Sequence, residues 1–158
     1  QDTPAVFLRT LNWMLYDGQP DHPVDCFVGV VDPPSGQLRY SVAGALGAYI
    51  IDARGNERAL RPREALPPIG AAKSTVYPLL PDQLGAAETL AAFSHGITTV
   101  TNPEQERFGE ERLVNILCDG FGQLPSTMLK ELLTDLRNFK AGGTQPDDIT
   151  ILLAHRPV

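Results

Sequence analysis

The chain is short of the residues that would announce a chemistry. It has two cysteines, Cys26 and Cys118, far apart and without a CxxC or Cys/His ligand spacing. Both are most simply read as buried free thiols of a reduced compartment. Positive charge is also in deficit: 13 Lys and Arg face 19 Asp and Glu, for a net charge of -6. A phosphate backbone or an anionic lipid would find no basic footprint here, so neither nucleic acid nor membrane is expected as a partner. No apolar run approaches the length of a membrane span, and residues 1–4 lack the basic-then-apolar order of a signal peptide, which makes the cytoplasm the expected compartment. No serine lies in G-x-S-x-G and no glycine-rich stretch matches a P-loop or a dinucleotide fingerprint. Nucleophilic hydrolase and nucleotide-binding readings therefore have no residues to stand on.

What is present is an ordinary globular composition, 42% hydrophobic and 20% charged over 158 residues, enough for one domain with a real core. The expectation is a single domain over residues 1–158, cut from a longer protein, since Pro4 leads at once into a helical pattern. Between residues 6 and 16, Phe7, Leu11, Met14 and Leu15 share one helical face, with Asp17 and Gly18 as the stop. Residues 26–31 and 38–42 read as a β-hairpin about the turn Asp32-Pro33-Pro34-Ser35-Gly36. Further strands are predicted at 48–51, more weakly at 57–60, and at 76–80 and 89–94, with a proline-rich loop over 62–70. Helices follow at 110–118 and 125–139, the second with a stripe of Leu129, Leu132, Leu133, Leu136 and Phe139, and Gly142 and Gly143 stop it. A last apolar run, 149–153, reads as a buried strand. Helix, antiparallel strands, two helices and a strand make an α+β layered fold rather than a doubly wound one.

Few polar residues are placed for chemistry. Asp147 and Asp148 precede the last strand, and Ser94, His95 and Gly96 end an earlier one; if those strands are neighbours, the two groups meet. Carboxylates at strand ends suit a hard cation such as Mg²⁺ or Mn²⁺, which prefers oxygen ligands and can turn a bound water into a nucleophile on a phosphate ester. The plain alternative is that Pro146-Asp147-Asp148 is a polar turn. A single histidine at a strand end is more often a hydrogen-bonded structural residue than a ligand, and His22 and His155 default to solvent.

Taken together, several segments resemble the stage II sporulation protein E and RsbU branch of the type 2C, metal-dependent serine/threonine phosphatases. That family shows a hairpin ending in A-G-H, a P-L-G turn, a G-D before a strand ending in Y-T-D-G, then F-G-x-x-R-L and a final D-D-[IVT]-T. This chain has Val42-Ala43-Gly44-Ala45, Pro68-Ile69-Gly70, Ala87-Glu88 before Phe93-Ser94-His95-Gly96, Phe108-Gly109-Glu110-Glu111-Arg112-Leu113, and Asp147-Asp148-Ile149-Thr150. Order and spacing agree over residues 5–155. The resemblance implies a layered α/β sandwich of the type 2C kind, antiparallel sheets flanked by helices, with the N-terminal part of the fold missing.

It also implies a metal site in which Asp147 is a ligand supported by Asp148, with an upstream acid from a G-D-x-x-G-H-G segment not seen in this chain. His95 stands where the family has its second metal carboxylate, and Ser94 and Gly96 flank it. A neutral imidazole adds no negative charge and is softer than a carboxylate, so it weakens a Mg²⁺ site, while Mn²⁺ can still accept it. No residue is assigned a catalytic role. The resemblance therefore suggests the output domain of a response regulator, weak or inactive as an enzyme, that binds a protein such as a sigma factor, an anti-sigma antagonist or a receiver domain. RssB-type response regulators carry a degenerate domain of this sort. The rival is a working Mn²⁺- or Mg²⁺-dependent protein phosphatase acting on a phosphorylated anti-sigma antagonist.

Overall fold

The computed structural model describes residues 3–16 and 23–158. In chain order the elements are α1 (Thr3–Leu15), β1 (Cys26–Val31), β2 (Gln37–Ala43), β3 (Gly47–Ile51), β4 (Glu57–Ala59), β5 (Leu80–Gln83), β6 (Thr89–Phe93), α2 (His95–Thr98), α3 (Glu110–Asp119), α4 (Pro125–Lys140) and β7 (Ile151–His155). All strand pairing is antiparallel, in two sheets ordered β1-β2-β5 and β4-β3-β6-β7. This is the α+β class expected. The chain divides into two compact units, residues 1–46 with 61–84 and residues 47–60 with 85–158.

In the first unit, β1 and β2 form the predicted hairpin, Val31 opposite Leu38 and Cys26 opposite Ala43. The Asp32 carboxylate accepts the Ser35 amide and hydroxyl, which fixes the turn, and Gly36 closes it at φ 73, a left-handed conformation that suits glycine. Helix α1 lies on this sheet, with Leu8, Ala43, Ile69 and Tyr77 as the buried core. The face it buries overlaps the predicted one only at Leu11, which packs against that core. Pro4, Leu8 and Asn12 are buried, while Phe7, Trp13 and Met14 are 53%, 70% and 67% exposed.

Asn12 accounts for that rotation. Its Nδ2 donates to the carbonyls of Ala72 and Lys73 at 3.0 and 3.3 Å, and its Oδ1 accepts the Gly70 amide at 2.8 Å and the Tyr77 hydroxyl at 3.4 Å. A polar side chain only 1% exposed is tolerable because both ends are satisfied. It ties α1 to the loop that follows the proline-rich stretch.

In the second unit the inner face of the sheet presents Tyr49, Ile51, Ala91 and Phe93 to Leu113, Val114 and Leu117 of α3 and Met128, Leu132 and Leu136 of α4. Each fully buried leucine contributes about 1.5–3 kcal/mol. The α4 stripe is centred on Met128, Leu132 and Leu136, and the predicted Leu129, Leu133 and Phe139 flank it, half-buried. Glu110 and Glu111 start α3, and Arg137 and Lys140 end α4, each sign at the helix pole that favours it.

Two strands move relative to prediction. β5 lies at Leu80–Gln83 rather than 76–80, and β7 at Ile151–His155 rather than 149–153. The predicted helix stop at Asp17 and Gly18 lies outside the described residues, as does His22.

Candidate functional site

β6 and β7 are neighbours, so the two candidate groups do meet. Phe93 pairs with Ile151, the last rung of that ladder, and Ser94 carries the pairing one residue further. Its amide donates to the Thr150 carbonyl at 2.9 Å, its Oγ accepts the Thr150 amide at 2.9 Å, and its hydroxyl donates to the Asp148 carbonyl at 3.3 Å. A serine at this rim thus holds the backbone of the Asp147-Asp148 turn.

Gly96 is fitted to the same turn. A Cβ there would stand 2.1 Å from the Asp148 carbonyl oxygen and 3.3 Å from the Asp147 Cβ, so only glycine lets the two backbones pass this closely. His95 opens α2, a single helical turn where the sequence predicts the end of a strand. Its side chain is exposed, with Nδ1 3.3 Å from the Thr98 hydroxyl.

Asp147 and Asp148 are both exposed, and among the described residues neither carboxylate has a hydrogen-bond or ion-pair partner. The far end of their loop is anchored as well. The Thr101 amide donates to the Thr144 carbonyl at 2.9 Å, the two threonine hydroxyls are 2.8 Å apart, and the Thr144 amide donates to Thr101 Oγ1 at 3.2 Å. A Cβ on Gly143 would be 1.9 Å from the Thr101 carbonyl oxygen. Gly143 therefore does more than stop a helix. Sequence reasoning missed Thr101 and Thr144, and the doubled glycine was the one sign that something passes close by.

As a metal site these residues are sparse. Among the described residues no group of three or more His, Cys, Asp or Glu side chains is placed to hold a cation. Mg²⁺ or Mn²⁺ takes six oxygen-rich positions, and one imidazole beside two solvated carboxylates does not make that donor set.

Among the described residues the other titratable groups offer no rival site. Both cysteines are free and half-buried. Burial pushes the Cys26 thiol up; Cys118 is pushed up by burial and then by Glu57, Asp119 and Asp52. A reactive thiolate needs the opposite shift. His155, expected in solvent, is half-buried with Nδ1 3.0 Å from the Thr89 hydroxyl. No helix among the described residues is long and apolar enough to cross a membrane.

The model of the family described as stage II sporulation protein E (SpoIIE) matches residues 1–157. Protein IcfG of Synechocystis sp. is 27% identical over 130 residues, which is 82% of this chain and 20% of that protein. The SiaA-PP2C domain of Pseudomonas aeruginosa matches with a TM-score of 0.83 at 21% identity, over 96% of this chain and 60% of that one. The phosphatase domain of the cell fate determinant SpoIIE from Bacillus subtilis matches at 0.66 and 14% identity, over 97% and 66%. The chain thus spans a fifth of the curated relative and under two thirds of these solved chains.

Proposed function

The chain belongs to the stage II sporulation protein E (SpoIIE) family of PP2C-type phosphatase domains, and from that premise we propose that its residues act as one regulatory output domain of a bacterial signalling protein. It works by binding a protein and hydrolyses phosphoserine weakly or not at all. The setting is sigma-factor control, and the partner class is a sigma factor, an anti-sigma antagonist or a receiver domain.

The observation that carries this reading is the side chain at position 95. The rim keeps the family's backbone: Ser94 latches the turn, Gly96 admits it, and Asp147 and Asp148 stand in solvent beside it. The residue that should add a second carboxylate is His95. An imidazole holds neither the charge nor the oxygen that a hard divalent cation requires. Among the described residues this rim therefore keeps the Asp147-Asp148 turn while position 95 offers a cation no carboxylate.

The second reading is an active Mn²⁺- or Mg²⁺-dependent serine/threonine phosphatase. Its support is the intact Asp147-Asp148-Ile149-Thr150 turn with both carboxylates unengaged. Asp147 would then hold the cation, with Asp148 in support and His95 as an unusual ligand or general acid.

The experiment is Mn²⁺-dependent release of phosphate from a phosphoserine protein by the full-length protein and by its Asp147→Ala variant. The expected result is no turnover above the blank in either, with any divalent ion, in protein shown to be folded. Turnover that disappears in Asp147→Ala overturns the binding-module reading and establishes the enzyme.

A further inference from the structure

The face of α3 and α4 turned away from their core carries a cleft that the Asp147-Asp148 rim does not use. Ile116 and Asp119 at the end of α3 form one wall, and Thr127, Lys130, Glu131 and Asp135 of α4 the other, around a volume of about 480 Å³. Ile116 is half-buried and packs against the core of its unit, so the cleft has a fixed apolar floor.

Charge selects the occupant. Three acids, Asp119, Glu131 and Asp135, line the cleft against one cation, Lys130. Among the described residues none of the three carboxylates has an ion-pair or hydrogen-bond partner. Glu131 and Asp135 stand one helical turn apart, where like charges repel. Asp119 ends α3, at the pole where the helix dipole favours a cation, and no basic residue lies in that last turn. Beside it, burial and then Glu57, Asp119 and Asp52 push the Cys118 thiol up, the sign of a negative local potential. Ile116 and Asp119 also border a second cleft, where Glu110 and Glu111 face Arg107 and Arg112. Apart from Asp119 its charges balance, so the anionic bias belongs to the α3-α4 cleft.

The turn joining the two helices adds an apolar grip. Leu124 is 69% exposed and Phe121 47%. Leu124 is the N-cap of α4 and makes no side-chain cap bond, at a position where serine, threonine, asparagine or aspartate would satisfy an open amide. The Phe121 ring is held in place, for a Cβ on Gly55 would be 3.0 Å from it. Asp119 and Leu124 each break a rule of helix ends without a gain to the fold, and such residues mark functional surface.

We propose that the α3-α4 cleft binds a cationic segment of a partner protein, with lysine or arginine side chains among Asp119, Glu131 and Asp135 and an aliphatic side chain on Leu124 and Phe121. The proposal rests on the binding-module reading, and names where that module takes hold and of what.

The test measures fluorescence anisotropy of a labelled peptide in which lysines and leucines are spaced by serines, titrated with the whole chain at physiological salt. A peptide with glutamate for every lysine is the control, and it should not bind. Any cation is drawn to a protein at -6, so the variants decide. Glu131→Lys, an exposed substitution on a helix, lowers the affinity about tenfold or more. Glu104→Lys, the same change of charge on an exposed turn outside the cleft, changes it less than about twofold. Leu124→Ser, which improves the cap of α4, lowers it about fivefold.

No binding, an equal loss in Glu131→Lys and Glu104→Lys, or binding that Glu131→Lys or Leu124→Ser leaves unchanged overturns the proposal. Release of the peptide by Mg²⁺ at constant ionic strength does so too, making the cleft a cation site. So does a concentration-dependent dimer that Leu124→Ser dissociates, which would make a second copy the occupant. These outcomes are separate from the phosphatase assay. Failed peptide binding without turnover removes the cleft and leaves the binding module standing, whereas turnover removes the module whatever the peptide does.

Discussion

Ser94 and Thr150 bond to one another twice: the Ser94 amide donates to the Thr150 carbonyl at 2.9 Å, and the Thr150 amide donates to the Ser94 hydroxyl oxygen, also at 2.9 Å. Side chain thus replaces main chain at the rung where the β6-β7 ladder ends. Ser94→Ala removes the acceptor and should cost about 1 kcal/mol. The local effect is more diagnostic: faster hydrogen exchange at 148–150 with the ladder above it unchanged. Uniform exchange across β7 would show that the hydroxyl is not the latch.

Gly96→Ala tests the close approach on the other side of the turn. A Cβ 2.1 Å from the Asp148 carbonyl oxygen has backbone, not a flexible tip, in its way. The expected loss is about 1–3 kcal/mol, read as a lower urea midpoint with unchanged slope. A neutral result would mean that the turn moves freely.

Much of this rim was legible in the sequence, and its limits have physical causes. Ser94, His95, Gly96, Asp147 and Asp148 stand out in the sequence because two strand ends carry them, and the β6-β7 pairing brings their backbones together. The one-turn helix α2 was not foreseen, since four residues are too few for a periodicity to register. α1 buries a face that shares only Leu11 with the predicted one, because Val6, Phe7, Leu8, Leu11, Trp13, Met14 and Leu15 surround it with apolar side chains, so period alone does not choose. The choice came from Asn12 and a loop some sixty residues away, a long-range contact with no local trace. β5 slid past the run at 76–80 because its partner β2 meets it only from Tyr40 opposite Leu80 onward.

His95→Asp, made in the full-length protein, should convert a poor cation site into a better one. The carboxylate supplies the charge and oxygen that the imidazole lacks. Mn²⁺ affinity, followed by electron paramagnetic resonance, is expected to rise about tenfold or more. No change would show that position 95 does not face the cation.

Asn12→Leu keeps the volume and removes the bonds, leaving the Gly70 amide and the Ala72 carbonyl without partners. The expected loss is about 3 kcal/mol, measured by urea denaturation. Tyr77→Phe, whose hydroxyl contacts are longer at 3.3–3.4 Å, should cost about 1 kcal/mol or less. The reverse order would place the anchor of the loop on the tyrosine.

Alkaline pH should weaken the fold. Burial raises the folded-state pKa of the Cys26 and Cys118 thiols above 9.0 and of the Tyr77 phenol above 10.0. The unfolded chain therefore ionises first. The stability these groups contribute is whole below about pH 9 and is lost as pH rises through their folded values. Urea midpoints at pH 7 and pH 10.5 should differ in that direction, and Cys26→Val should reduce the difference. A midpoint that rises with pH would contradict the assignment.

The paired hydrogen bonds between Ser94 and Thr150 join residues 56 apart in the chain, and the clasp of Thr101 on Thr144 spans 43. Neither can form until a long loop has closed, and closing it costs entropy before any contact repays it. The Asp147-Asp148 turn is consequently set only once the chain between β6 and β7 has been brought back on itself. A partner that grips this rim would be checking maturity, engaging finished molecules and passing over those still in assembly.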